Sequence, residues 1–180
     1  MNSAGSLFCS PLEAGADVFP IRGGRMSDHD EIRNLFATYS HLYDDGLIEE
    51  WGQLFKHGSY TFMGKKFTGT KEILDWIIPT SIRKGCRHLI FNIAIHVNGN
   101  KATSKSDFVT IARDATGTLK IDNPESVWGR YDDTLNKIDG RWWFGDRVVT
   151  LDNDAAAINV WNWNRKNAEV YVERKADLYK

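Results

Sequence analysis

The chain has 180 residues, and 42% of them are hydrophobic, which is enough for one domain with a substantial core. Its net charge of −1 and its scattered Arg and Lys residues give no strong attraction to nucleic acid or to an anionic membrane. No apolar run approaches the roughly 20 residues of a membrane span. The two cysteines, Cys9 and Cys86, form no metal or redox motif, so a reduced cytoplasmic protein is the simplest interpretation.

The two ends of the chain differ from its centre. Residues 1–25 are rich in Gly, Ala, Ser and Pro, and they lack the basic start and long apolar centre of a secretory signal. We expect a flexible extension there, and an arm that packs on a neighbouring subunit is the alternative. The folded domain is predicted over 26–152. Residues 153–180 are predicted to form a tail that ends in a charged helix.

Helices are predicted in the first half of the chain. The first helix begins after Ser27, which acidic residues follow as they follow a helix N-cap, and it ends near Gly46. Apolar residues then repeat at helical spacing over 47–55 and again over 70–83. Pro79 should kink or end the third helix, because proline lacks a backbone N–H and clashes with the preceding turn.

The second half is predicted to be a meander of long antiparallel strands. Asn98-Gly99 and Asp139-Gly140 favour tight hairpin turns. The predicted strands are 59–63, 65–67, 87–97, 101–113, 126–135 and 141–151. Helices followed by a meander indicate an α+β fold, in which the N-terminal helices cover one face of a curved, mostly antiparallel sheet.

The strand over 87–97 has a mixed side and an apolar side. A period of two places His88, Ile90, Asn92, Ala94 and His96 on one side, and we expect this side to line a cavity beneath the helices. Leu89, Phe91, Ile93, Ile95 and Val97 take the other side. A β-bulge would exchange the two sides. Since helices on one face cannot cover the apolar side, we expect another subunit to cover it.

Three side chains are candidates for moving a proton. His88 suits a general base, because imidazole titrates near neutral pH, although a core histidine bonded to backbone is the alternative. Asp44 would orient His88 and stabilise its cationic form, or it is a solvated carboxylate at a turn. Tyr39 lies on the apolar stripe of the first helix. It is either core or a donor to a substrate carbonyl or leaving hydroxyl.

Other candidates concern substrate binding. Arg147 lies in an apolar strand, so it is predicted either to hold a substrate oxyanion with its planar fork or to form an ion pair with Asp132, Asp133 or Asp146. The predicted substrate contacts are Asn92, Tyr43, Trp128 and Trp143. His41, His57 and His96 lack ligand-like spacing, so no metal site and no cofactor are expected.

The chain resembles the SnoaL-like group of the nuclear transport factor 2-like superfamily over residues 27 to 152. The resemblance rests on three segments of the sequence: the helix that ends Tyr39-Ser-His-Leu-Tyr-Asp44-Asp-Gly, the run Arg87-His88-Leu-Ile-Phe-Asn92, and Gly129-Arg-Tyr-Asp through Asp139-Gly-Arg-Trp142 to Arg147. Within this group the chain is similar to the branch of scytalone dehydratase, bile-acid 7α-dehydratase and hexachlorocyclohexane dehydrochlorinase. The resemblance implies a cone-shaped α+β barrel with its pocket between helices and sheet.

The resemblance also implies a chemistry. In that branch an Asp–His dyad performs cofactor-free elimination, and Asp44 and His88 fall on the dyad positions, Tyr39 on a catalytic tyrosine and Arg147 on an active-site arginine. The expected function is a cofactor-independent dehydratase-type lyase for a hydrophobic, cyclic small molecule. An isomerase or cyclase of a steroid, terpenoid or polyketide is the first alternative, and a non-catalytic ligand-binding or assembly domain is the second. A homo-oligomer is expected, and the branch favours a trimer over a dimer.

Overall fold

The computed structural model describes residues 26–78, 86–114, 116–123 and 126–152. Three predicted features lie outside these residues: the extension over 1–25, the end of the predicted third helix at 79–83 and the tail over 153–180. In the part of the chain that is described, no helix is long and apolar enough to cross a membrane.

Within the described residues, three helices form as the apolar spacing predicts: α1 Asp28–Asp44, α2 Ile48–Gln53 and α3 Gly69–Ile77. The Ser27 side chain accepts a hydrogen bond from the backbone N–H of Asp30, which satisfies one of the unpaired donors of the first turn of α1. After α1 the chain turns at Gly46, whose φ of 79° is a conformation that glycine adopts without strain.

In the part of the chain that the structure describes, six strands form one sheet: β1 Ser59–Phe62, β2 Lys65–Thr68, β3 Arg87–Asn98, β4 Lys101–Ile111, β5 Val127–Ile138 and β6 Arg141–Leu151. Their order across the sheet is β2-β1-β6-β5-β4-β3. All neighbouring strands are antiparallel except β1 and β6, which are parallel. The predicted α+β architecture, with helices packed on a curved and mostly antiparallel sheet, is confirmed.

The main core lies between the helices and one face of this sheet. Helix α1 buries its apolar stripe there, including Ile32, Phe36 and Tyr39, and α2 adds Trp51. Aromatic rings meet at the centre of the core, where Phe55 stacks on Phe144 with ring centroids 4.9 Å apart. The end of α1 lies beside the start of β3, where the backbone N–H of His88 donates to Asp44, and this is where the candidate site lies.

A β-bulge divides β3 into two parts with opposite orientation. Phe91 pairs with Asp107 and Ala94 pairs with Lys105, so the register slips by one residue between them, and Asn92 has a φ of 52°. Before the slip, His88 and Ile90 face inwards as predicted. After it, the inward-packing residues are Ile93, Ile95 and Val97. The prediction that Asn92, Ala94 and His96 face the cavity is therefore wrong, because one extra residue exchanges the two faces of a strand.

Candidate active site

The last residue of α1 and the second residue of β3 form a buried hydrogen-bonded pair. Nδ1 of His88 lies 2.6 Å from Oδ1 of Asp44. The backbone N–H of His88 donates to the other carboxylate oxygen, Oδ2, at 2.9 Å. An ionised carboxylate only accepts, so Nδ1 carries the proton and Nε2 of a neutral ring keeps its lone pair. The two hydrogen bonds fix both the tautomer and the orientation of the ring.

Cys86 adds a third side chain to this pair. Its thiol donates to the same oxygen, Oδ1 of Asp44, over 3.3 Å, and its sulfur lies 4.0 Å from Nδ1 of His88. Cys86 is buried just before β3 begins. The carboxylate oxygen of Asp44, the sulfur of Cys86 and the ring nitrogen of His88 all lie within 4.8 Å of one another.

His88 lines a small cavity of about 70 Å³ between the helices and the sheet. Its polar lining is mainly hydroxyl groups, and the remainder is aromatic or aliphatic. The lining residues are Tyr39, Tyr43, Tyr60, Phe62, Trp76, Ile77, His88, Phe108, Thr110, Val127, Tyr131, Val149 and Leu151. A larger groove of about 530 Å³ runs along the opposite face of the sheet, past His96 and Lys105. That groove is separated from the dyad by the sheet, so we assign the candidate site to the smaller cavity.

Three buried tyrosines gather around the same cavity. The Tyr39 ring lies edge-on to the ring of His88, with centroids 6.0 Å apart, and edge-on to Tyr131 at 5.8 Å. Burial raises the pKa of Tyr39, although the positive charge of Arg147 opposes this effect. Burial raises the pKa of Tyr60 and of Tyr131 well above the usual value. All three hydroxyls are therefore protonated at neutral pH. Tyr60 and Tyr131 donate hydrogen bonds to the hydroxyl of Tyr39, whose own proton can be donated into the cavity.

Arg147 is completely buried behind these tyrosines and is paired with Asp133. Its Nε donates to Oδ1 of Asp133 at 2.8 Å and its Nη2 to Oδ2 at 2.9 Å. Burial lowers the pKa of Arg147, but the Asp133 carboxylate more than offsets this, so the guanidinium stays charged. Its carbon Cζ lies 4.0 Å from the ring centroid of Tyr131 and 4.3 Å from that of Tyr39. Among the described residues, its third nitrogen, Nη1, has no hydrogen-bond partner.

The sequence left three carboxylates open as partners of Arg147, and a bulge decides between them. In the β5–β6 hairpin, Leu135 pairs with Phe144 but Thr134 pairs with Asp146, so the register shifts there. The shift sets Asp133 directly opposite Arg147. Arg147 is not among the residues that line the cavity, and it packs against the rings of two that are, Tyr39 and Tyr131.

The predicted substrate contacts are divided by the fold. Tyr43 lines the cavity, and its ring centroid lies 5.1 Å from that of His88. Asn92 is exposed at the β3 bulge, where its amide donates to Asp107. Trp128 is exposed on the outer face of the sheet. Trp143 packs between Lys56 and Arg141, away from the cavity lining. Of the four predicted contacts, only Tyr43 lies in the wall of the site.

Several residues of this site were not predicted from the sequence. Tyr131 lies on the same side of β5 as Asp133, and a period of two along that strand would have placed both inwards. Tyr60 lies opposite Arg147 because β1 pairs with β6, a contact that no local pattern reveals. Cys86 lies two residues before His88, so that both side chains reach Asp44, and this spacing was the available signal.

Helices on a curved antiparallel sheet, with a polar pair at a cavity between them, define a class of α+β domains that bind or transform small molecules. The family comparison agrees with this class, since the model of the SnoaL-like domain family matches residues 24–148. The chain belongs to this family. Among curated proteins, the sequence comparison finds no match.

Solved structures share the fold. Rv3472 of Mycobacterium tuberculosis, a protein of unknown function, is 23% identical with a TM-score of 0.65, over 80% of this chain and 96% of that one. A candidate scytalone dehydratase of Novosphingobium aromaticivorans is 23% identical with a TM-score of 0.60, over 70% and 85%. LinA is 16% identical with a TM-score of 0.57, over 69% and 86%. At these levels of identity, the comparisons show a shared fold and no shared activity.

Proposed function

We propose that the chain is a cofactor-independent lyase that removes water from a small cyclic substrate by means of the Asp44–His88 dyad. The observation that carries the proposal is the hydrogen bond of 2.6 Å between Nδ1 of His88 and Oδ1 of Asp44. The imidazole ring that makes this bond lines a cavity. This bond leaves Nε2 as the basic nitrogen. The name of one structural neighbour, a candidate scytalone dehydratase, is compatible with this chemistry.

The proposed reaction starts with proton removal from carbon. Nε2 of His88 takes a proton next to an electron-withdrawing carbonyl group, and Asp44 stabilises the imidazolium that forms. A tyrosine hydroxyl of the cavity donates a hydrogen bond to the developing oxyanion, and Tyr39 donates one to the leaving hydroxyl. The leaving hydroxyl takes up the proton that His88 removed and departs as water, which restores the neutral imidazole. Arg147 contacts the rings of Tyr39 and Tyr131 and not the cavity. We therefore propose that it supports these tyrosines rather than binding substrate itself.

The size of the cavity limits the substrate. Ligand pockets usually have volumes of roughly 300–1,000 Å³, whereas this cavity has about 70 Å³. The reacting part of a ring fits this space, and a steroid requires wall side chains such as Phe62 and Trp76 to move. Small hydroxylated cyclic ketones with an aromatic or terpenoid ring are thus the proposed substrate class.

A substrate panel with matched variants tests the proposal. Hydroxylated cyclic ketones are incubated with the protein, and loss of water is followed by mass spectrometry. We expect His88→Gln and Asp44→Asn to lower kcat by about 100- to 10,000-fold, the usual contribution of a general base. The control is His96→Gln, which replaces an exposed histidine of the same strand. This variant should keep the activity of the unchanged protein. Full activity in His88→Gln would rule out the dyad mechanism.

The isomerase alternative uses the same pair and differs only in its product. If Nε2 returns the proton to another carbon, the mass of the substrate stays constant. In deuterated water, the product would then contain solvent deuterium without loss of water. Binding of panel members with neither change would favour a ligand-binding domain.

A further inference from the structure

Three side chains with metal-ligating atoms, those of Asp44, Cys86 and His88, meet around Oδ1 of Asp44. This oxygen lies 2.6 Å from Nδ1 of His88 and 3.3 Å from Sγ of Cys86, and the sulfur and nitrogen are 4.0 Å apart. Carboxylate oxygen, imidazole nitrogen and thiolate sulfur are all zinc ligands. The three atoms thus form one triangular face of potential ligands, and all three residues are largely buried.

We propose that Asp44, Cys86 and His88 form a binding site for a thiophilic divalent cation such as Zn²⁺, and that the cation switches off the basic nitrogen of His88. The sequence motifs contain no recognised metal site. The site depends on the fold, which brings Asp44 to within hydrogen-bond distance of a cysteine and a histidine more than 40 residues away.

The distances suit tetrahedral coordination, in which a water molecule would supply the fourth ligand. With metal–ligand distances of 2.0–2.3 Å, the ligand atoms of a tetrahedral zinc site lie about 3.3–3.6 Å apart. Each of the three separations is within about 0.7 Å of that range, so small side-chain rotations suffice. The backbone N–H of His88 already holds Oδ2 of Asp44, which leaves Oδ1 to the metal. Outer hydrogen bonds of this kind orient the ligands of natural metal sites.

Charge also favours a divalent cation. The thiol of Cys86 loses its proton to solvent, while the proton of His88 moves from Nδ1 to Nε2, so that one proton leaves for each metal bound. The thiolate and the Asp44 carboxylate then balance the two positive charges. A neutral complex tolerates burial, whereas a charged one would not. Thiolate and imidazole select Zn²⁺ or Cd²⁺ over Mg²⁺ and Ca²⁺, which prefer oxygen ligands.

The move of the proton has a functional consequence. In the metal-free pair, Nδ1 carries the proton and Nε2 can accept one. In the metal-bound pair, Nδ1 is a ligand and Nε2 carries the proton, so His88 no longer acts as a base. Metal binding itself does not depend on catalysis, and only this inhibition rests on the proposed function.

Spectroscopy of the full chain tests the site without a substrate. Cd²⁺ and Co²⁺ are added separately to metal-free protein. We expect one equivalent to bind, with a Cd–thiolate charge-transfer band in the ultraviolet and the intense visible bands of tetrahedral Co²⁺. Cys9 provides a matched control, because Cys9→Ser removes the second cysteine of the chain. The bands should persist in Cys9→Ser and disappear in Cys86→Ser.

Further variants keep the test decisive. Each of Cys86→Ser, His88→Ala and Asp44→Asn removes one ligand, so the outcome does not depend on any one variant folding, which circular dichroism checks. Loss of an outer hydrogen bond lowers the affinity of a metal site by roughly 10- to 100-fold. Loss of a ligand should lower the affinity for Cd²⁺ by at least this factor. Absence of a thiolate band in the unchanged protein, or its persistence in folded Cys86→Ser, would overturn the proposal.

Nuclear magnetic resonance of the His88 ring tests the switch separately. Cd²⁺ should replace the Nδ1 proton and move it to Nε2, whereas Mg²⁺ should change nothing. An Nδ1 proton that survives saturation with Cd²⁺ would contradict the switch. Where turnover is measured, Cd²⁺ should abolish it and a chelator should restore it. A protein that binds Cd²⁺ in this way but transforms no substrate would refute the lyase and leave the metal site intact.

Discussion

Arg147 and Asp133 form an ion pair that has no access to solvent. Both side chains have an exposed fraction of 0%. Among the described residues, every other charge pair has at least partial access to solvent. The guanidinium is surrounded by aromatic rings that supply cation–π attraction but few hydrogen-bond acceptors. An isolated charge in such surroundings is very unfavourable, so each partner requires the other.

We therefore predict that Asp133→Asn lowers the free energy of unfolding by about 3–5 kcal/mol, the range found when one partner of a buried pair is lost. Chemical denaturation measures this change. Asp75→Asn is the control, because it breaks the exposed Lys71–Asp75 pair of α3 and should leave the free energy of unfolding nearly unchanged. The double variant Asp133→Leu with Arg147→Met should recover most of the loss, since it leaves no unpaired charge. Equal costs in Asp133→Asn and Asp75→Asn would contradict the prediction.

The buried tyrosines predict how stability depends on alkaline pH. Burial raises the pKa of Tyr60 and Tyr131, so these hydroxyls keep their protons in the folded state while the unfolded chain loses them above pH of about 10. Their contribution is complete below that pH and is lost as pH rises towards the raised pKa values. We expect the Tm to fall more steeply above pH 10 in the unchanged protein than in Tyr60→Phe. Parallel curves for the two proteins would contradict this interpretation.

At the scale of the elements, the bulge in β3 decides which side chains reach the core. It places Ile93, Ile95 and Val97 inwards and requires a φ of 52° at Asn92. Asparagine tolerates this left-handed conformation better than most residues other than glycine, whereas a β-branched residue does not.

The bulge leads to a prediction about Asn92. Asn92→Val and Asn92→Gly both lose the hydrogen bond from the amide to Asp107. Only valine adds backbone strain, so Asn92→Val should be less stable than Asn92→Gly by about 1–2 kcal/mol. Chemical denaturation of the two variants isolates this difference. If valine equals or exceeds glycine in stability, the bulge does not constrain the fold at this position.

The two bulges also mark the limit of what the sequence predicts. The helices and strands follow from period and turn residues. The nearness of Asp44 and His88 was expected only because the family resemblance places both on dyad positions. The orientation of Asn92 and the choice of Asp133 as the partner of Arg147 depend on single-residue slips in register. No periodicity encodes such a slip. Tyr60 enters the cavity through pairing of β1 with β6, which is a contact between distant segments.

At the scale of the whole molecule, the outer face of the sheet carries an apolar row. Leu89, Val109 and Trp128 lie opposite one another on β3, β4 and β5. Leu89 and Trp128 are 49% and 41% exposed, and Phe91 beside them is 42% exposed. Large side chains grouped in this way on a sheet are typical of a surface that another protein covers. Because β3 is the edge strand of the sheet, a second copy of the chain can approach this row closely.

We predict that the row is the interface of a homo-oligomer, and that Trp128→Lys dissociates it by placing a charge in an apolar contact. Light scattering after size-exclusion chromatography gives the mass, which should be two or three times the 20.5 kDa of one chain in the unchanged protein. The family resemblance favours three. Met63→Lys is the matched control, since Met63 is similarly exposed at the β1–β2 turn. This variant adds the same charge at a site away from the row. It should leave the mass unchanged, while Trp128→Lys should give the mass of one chain. A monomer in the unchanged protein at micromolar concentration, or an oligomer that survives Trp128→Lys, would show that the row is not the contact between copies.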